Sequence, residues 1–77
     1  MSSIIYVKLL DEGVLVYRPV TAIKLAENIY RLESNVDYDP LDEKWEFPPG
    51  SKVITSEKEL EGTIVLVATK EKKENED

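Results

Sequence analysis

The chain has 77 residues, with 16 Asp and Glu against 10 Lys and Arg, a net charge of −6, and neither His nor Cys. That length gives one small domain with little interior, and a hydrophobic content of 42% is enough for a modest core. Without Cys or His there is no disulfide framework, no thiolate or imidazole metal ligand, and no Ser-His-Asp or Cys-His catalysis.

No apolar run approaches the roughly 20 residues that cross a bilayer, and no basic-then-apolar leader opens the chain. The expectation is therefore a soluble, cytoplasmic, acidic mini-domain. Residues 4–10 are rich in β-branched and aromatic types and predict a strand, with Ile5, Val7 and Leu9 on one face and Tyr6 and Lys8 on the other. Asp11-Glu12-Gly13 predicts a hairpin loop in which Gly13 takes a positive φ. Val14 to Arg18 resumes the strand pattern, so residues 4–18 read as a hairpin.

Pro19 lacks a backbone N–H, so the second strand must bend, bulge or lie at an edge there. Beyond it, Val20, Ala22 and Lys24 alternate with Thr21, Ile23 and Leu25, which favours strand over the helix that 20–27 could also form. Asn28 marks a turn and Ile29–Glu33 a third strand. From Val36 to Gly50 three prolines and a dense set of carboxylates make one long connection. Within it, Trp45 and Phe47 alternate with Lys44 and Glu46, predicting a short extended piece whose aromatics turn inward. Pro48-Pro49-Gly50 reads as a structural turn into a fourth strand at 51–56.

Residues 57–62 read as a polar connection, and Thr63–Thr69 as a strand apolar enough to be covered on both faces. The domain is expected to span 1–69, with 70–77 a disordered charged tail. Together these elements predict an all-β fold: a small, five-stranded, partly open barrel of Src-homology-3-like (SH3-like) topology with one long acidic loop. An OB-fold fits less well, because no helix is available between the third and fourth strands.

Four segments, Tyr6–Gly13, Val16–Val20, Tyr38-Asp39-Pro40 and Trp45–Gly50, together resemble a group of small uncharacterised bacterial proteins. Those proteins share a Leu-Asp-Glu-Gly hairpin, an aromatic-Arg-Pro-Val strand and a Trp-Glu-Phe-x-Pro-Gly segment. The resemblance covers most of residues 4–69. It implies a compact β domain of bacterial or phage origin, and it brings no activity and no catalytic residue with it.

The acidic stretch is the sharpest chemical feature: Glu33, Asp37, Asp39, Asp42, Glu43 and Glu46 against Lys44. As an EF-hand started at Asp37 it fails, since Leu41 falls at the fifth position, Asp42 at the sixth and Pro48 at the twelfth. Paired carboxylates for hydrolysis would need a cleft that a domain of this size rarely encloses. Direct nucleic-acid binding is disfavoured by the net charge and by the scatter of Lys8, Arg18, Lys24, Arg31 and Lys52.

Proline-motif recognition would need an exposed aromatic groove, whereas Trp45 and Phe47 read as a plug for the core. What remains is an acidic surface that keeps the domain soluble, or one that meets a basic patch on a protein partner. The expected function is a non-catalytic protein-binding module or inhibitor without cofactor or metal. Its partner-binding residues are Asp37, Tyr38, Asp39, Asp42 and Glu43. Arg18 is expected to pair with a loop carboxylate such as Asp39 or Asp42. The alternative is a structural subunit that self-associates into a homo-oligomer through sheet edges.

Overall fold

The computed structural model describes residues 2–34, 38, 39 and 41–72. Its strands are β1 (Ser2–Leu10), β2 (Tyr17–Ala26), β3 (Ile29–Leu32), β4 (Lys44–Trp45), β5 (Lys52–Leu60) and β6 (Thr63–Glu71). There is no helix among the described residues. β1, β2, β3, β5 and β6 pair in sequence, β6 returns to β1, and the short β4 adds to the far end of β1. This is the expected small, partly open five-stranded barrel, wound as a meander.

An odd number of strands in a meander forces the closing pair to run parallel. β1 and β6 do so, and their register consists of a single pair, Tyr6 with Val67. By contrast β1 and β2 pair antiparallel from Ser2↔Ile23 to Lys8↔Tyr17. The parallel arrangement is slightly less stable per residue, and here it is also short, so the seam is where the barrel stays open.

Alternation fills the core as expected. Ile5, Val7 and Leu9 of β1 and Val20 and Ala22 of β2 are buried, together with Tyr30 and Leu32 of β3, Val53 of β5 and Ala68 of β6. Pro19 stands opposite Tyr6 in the first part of β2. There β1 lies on one side and β3 has not yet begun to pair on the other, since the β2–β3 register starts at Ala22. Pro19 thus occupies the edge position its missing N–H demands. The β2–β3 register shifts between Lys24 and Ala26, which makes Leu25 an extra, exposed residue. Asn28, at φ 63°, turns the chain into β3.

Several boundaries differ from the sequence expectation. Val14 to Val16 belong to the β1–β2 loop, and Val14 and Leu15 are exposed. Asp11 and Gly13, both at positive φ, turn the chain here, and of the three only Val16 reaches β1, its carbonyl accepting the Leu9 N–H at 2.8 Å. Residues 57–60, read from their charge as a connection, continue β5 in register with β6, from Glu57↔Leu66 to Leu60↔Thr63. The true connection is the two-residue turn Glu61-Gly62, both at positive φ. β6 runs past Thr69, with Lys70 opposite Ile54 and Glu71 opposite Val53.

The apolar β6 is covered on both faces only in part. Val67 and Ala68 are adjacent, point to opposite faces and are both buried, whereas Ile64 is 62% exposed. The β5–β6 hairpin outruns the barrel, and the face of its end that carries Ile64 is uncovered. Lys58 ties this projecting arm to the body, because its Nζ donates to the Tyr17 hydroxyl at 3.0 Å and sits 5.3 Å from that ring's centroid.

Candidate functional site: the acidic loop

The long connection leaves β3 and returns through β4. Its exit is the turn Pro48-Pro49-Gly50-Ser51, closed by the Ser51 N–H donating to the Pro48 carbonyl at 3.1 Å with Gly50 at φ 88°. Gly50 N–H donates to Leu32 O and Leu32 N–H to Ser51 O, which locks this turn onto the end of β3. Upstream, Trp45 and Phe47 are buried at 7% and 8% exposure, as their alternation predicts. Trp45 pairs with Leu9 of β1, and Glu46 N–H donates to Lys8 O.

Asp39 builds the bend of the loop. Its Oδ1 accepts the Leu41 N–H at 3.0 Å, and its carbonyl accepts the N–H groups of Asp42 and Glu43. Glu43 is a clamp: its Oε1 accepts the Trp45 indole N–H at 2.9 Å and lies 3.1 Å from Nε of Arg18. Tyr38 packs on Trp45 at a ring-centroid distance of 4.8 Å and a tilt of 56°, and its hydroxyl accepts the Trp45 backbone N–H in a long contact of 3.4 Å. The loop is thereby braced against β2 through Arg18 and against β4 through Trp45.

Of the residues assigned to partner binding, Asp37 lies outside the described residues. Tyr38, Asp39 and Glu43 come together, yet each is engaged inwardly by the contacts just described. Asp42 is exposed. Arg18 does pair with a carboxylate of this loop, but with Glu43 rather than Asp39 or Asp42. The reason is geometric, since Asp39 turns its carboxylate back on its own loop while Glu43 is the last loop residue before β4.

Sequence reasoning missed Leu41, the most exposed large hydrophobic residue described, at 96%. Its signal was present: Asp39-Pro40 opens a turn, and a residue two places into a turn is driven to the corner. Among the described residues no three carboxylates converge closely enough to hold a metal ion.

The remaining aromatics lie elsewhere. Tyr30 is in the core, and Tyr6 and Tyr17 line an open groove of about 490 Å³ beneath the β5–β6 arm, with Leu15, Leu60 and Val65. Glu61 is the one carboxylate among the residues lining that groove. Comparison with family models, with curated proteins and with solved structures finds no match.

Proposed function

We propose that the domain is a non-catalytic, cytoplasmic protein-binding module or inhibitor of bacterial or phage origin, and that its acidic loop is the surface presented to the partner. The observation that carries this reading is Leu41, an aliphatic side chain 96% exposed on a bend held by Asp39 and clamped through Glu43. A bend held by its own hydrogen bonds loses less conformational entropy on binding than an unbonded loop, and a protruding apolar side chain can fill a partner's socket. The carboxylate of Asp42 beside it favours a socket rimmed by basic residues. The partner in this reading is a protein with a basic surface, with no nucleic acid, membrane or cofactor involved.

The test must spare the residues that build the loop. The side chains of Asp39 and Glu43 hold its shape, so reversing them would confuse binding with folding; those of Leu41 and Asp42 are exposed and enter the bend only through their backbone N–H groups. The tagged domain and the double variant Leu41→Ser/Asp42→Lys are each used for affinity capture from a lysate of the encoding organism. A protein retained by the natural chain and lost by the variant is the expected result. Equal retention by both, or a specific partner for neither, overturns the reading.

A further inference from the structure

The second exposed polar surface is the edge of β5 in the projecting arm. β3 pairs with β5 only at Lys52, Val53 and Ile54. One residue on, the Thr55 N–H donates to Asn28 O at 2.8 Å, in the β2–β3 turn. That bond shows which way the strand faces: Thr55 aims its N–H toward the β3 side. Strand alternation then sends the N–H and C=O of Glu57 and Glu59 the same way, while Lys58 turns toward β6. The opposite side is fixed independently, because the Ile54 carbonyl accepts the Thr69 hydroxyl of β6. Past the turn at Asn28, no strand among the described residues lies against Ser56–Leu60 on that side. An open ladder of backbone groups is left beside an exposed Glu57-Lys58-Glu59 run, in which the Lys58 ammonium also donates to the Tyr17 hydroxyl.

We propose that this edge takes an extended strand from a protein partner, with basic residues opposite Glu57 and Glu59 and an acidic residue opposite Lys58. Charges on an open edge usually repel pairing in general, yet an alternating run discriminates. A second copy of this chain is refused. Two-fold antiparallel pairing about an axis through the sheet matches residues symmetrically about one central residue. Centred on Lys58, it sets Lys58 against its own copy and Glu57 against Glu59; centred on Glu57 or on Glu59, it sets that carboxylate against itself. Like charges directly opposite are unfavourable in each case. A basic-acidic-basic strand meets opposite charge at all three positions. It does so in either chain direction, because the pattern is symmetric. This inference stands apart from the loop reading, since the two surfaces share no residue.

The test uses two synthetic peptides, Thr-Val-Lys-Glu-Lys-Val-Thr and the charge-swapped Thr-Val-Glu-Lys-Glu-Val-Thr, with the full chain. Amide exchange is followed residue by residue by NMR. The first peptide should slow exchange at Glu57 and Glu59 by about tenfold and leave Leu41 unaffected, since the open amides gain acceptors. The variant Glu57→Lys/Glu59→Lys, which leaves the Lys58 contact with Tyr17 in place, should invert the preference between the peptides by about tenfold. Glu59→Pro removes an outward N–H that is not bonded to β6 and should abolish protection at Glu57. No protection at millimolar peptide, or equal protection by both peptides, overturns the proposal. Preferential binding of the swapped peptide also overturns it and marks the edge as self-associating. If Glu59→Pro fails to fold, the variant Glu57→Lys/Glu59→Lys decides alone.

Discussion

The acidic loop and the β5–β6 arm are both charged, both exposed and both outside the core, yet they are held in opposite ways. In the loop two of the carboxylates are used by the loop itself. Asp39 accepts backbone N–H groups, Glu43 bridges Arg18 and Trp45, and the exposed tip is the aliphatic Leu41. In the arm the backbone does most of the holding, through the β5–β6 register, while the carboxylates of Glu57 and Glu59 are exposed and the Lys58 ammonium rests on Tyr17. Carboxylates near a turn therefore build the turn, and carboxylates on a strand decide what may pair with it. Composition alone does not distinguish the two cases.

The sharpest way to break the comparison is to remove one apolar anchor from each region. Trp45→Ala takes away the buried ring on which Tyr38 and Glu43 both depend, and should cost about 3–5 kcal/mol. That is much of the stability of a small domain, so the urea midpoint followed by far-UV circular dichroism should fall steeply or the transition should vanish. Ile64→Ala, on the uncovered end of the arm, should stay within about 0.5 kcal/mol of the natural chain. Equal losses would mean that Ile64 is covered in solution, as a second copy docked on the arm would do.

Backbone direction gives the next largest effect. Lys58 aims its N–H at β6, so Lys58→Pro should cost about 3 kcal/mol, whereas Glu59→Pro should be nearly silent in a thermal melt. If the two prolines are equally damaging, the assignment of the open edge fails. Sedimentation at high concentration sharpens the same point. The like charges set opposite one another in the registers centred on Glu57, Lys58 and Glu59 predict a monomer, and a dimer would restore self-association through sheet edges.

How much of this was legible in the sequence depends on what fixes each feature. The inward set Ile5, Val7, Leu9, Val20, Ala22, Trp45 and Phe47 follows from alternation, because one face of each strand must be dry. The turns at Asn28 and Gly50 follow from residues that tolerate their backbone angles. The Glu57–Leu60 extension of β5 was not legible. Its charges look like a loop, and only the hairpin partner, apolar β6, keeps them in a strand. The uncovered Ile64 was hidden for the same reason: an apolar run announces a strand, and the length of the neighbouring strands decides where cover ends. In the loop, acidity was visible but its use was not. Whether a carboxylate faces a partner or its own backbone depends on a turn geometry that distant Arg18 and Trp45 help to set.

Glu43 offers a measurement of that inward use. Glu43→Ala leaves the indole N–H without its acceptor and should cost about 1–3 kcal/mol. Glu43→Gln keeps an acceptor and gives up the charge, and the Arg18 pair is half exposed, so it should cost under about 1 kcal/mol. Denaturant titrations of the two variants give the difference directly. A Gln variant as damaged as the Ala variant would show that the ion pair, and not the indole bond, braces the loop.

The smallest effect concerns the tip of the arm. Glu61 sits at φ 51° and Gly62 at φ 82°, the paired left-handed angles of a two-residue hairpin turn. Glycine adopts that conformation freely, whereas a glutamate pays for the closeness of its Cβ to the following carbonyl, and asparagine is tolerated there much better. Asn28, at φ 63° in the β2–β3 turn, shows the preferred choice within the same molecule. Glu61→Asn should therefore stabilise the domain by up to about 1 kcal/mol. The gain should be local: exchange of arm amides such as Lys58 and Val65 should slow, while the Leu41 amide in the acidic loop keeps its rate, because the loop is held by Glu43 and Asp39 and not by the arm. If loop amides slow equally, the two regions unfold together, and their contrast lies in architecture rather than in stability.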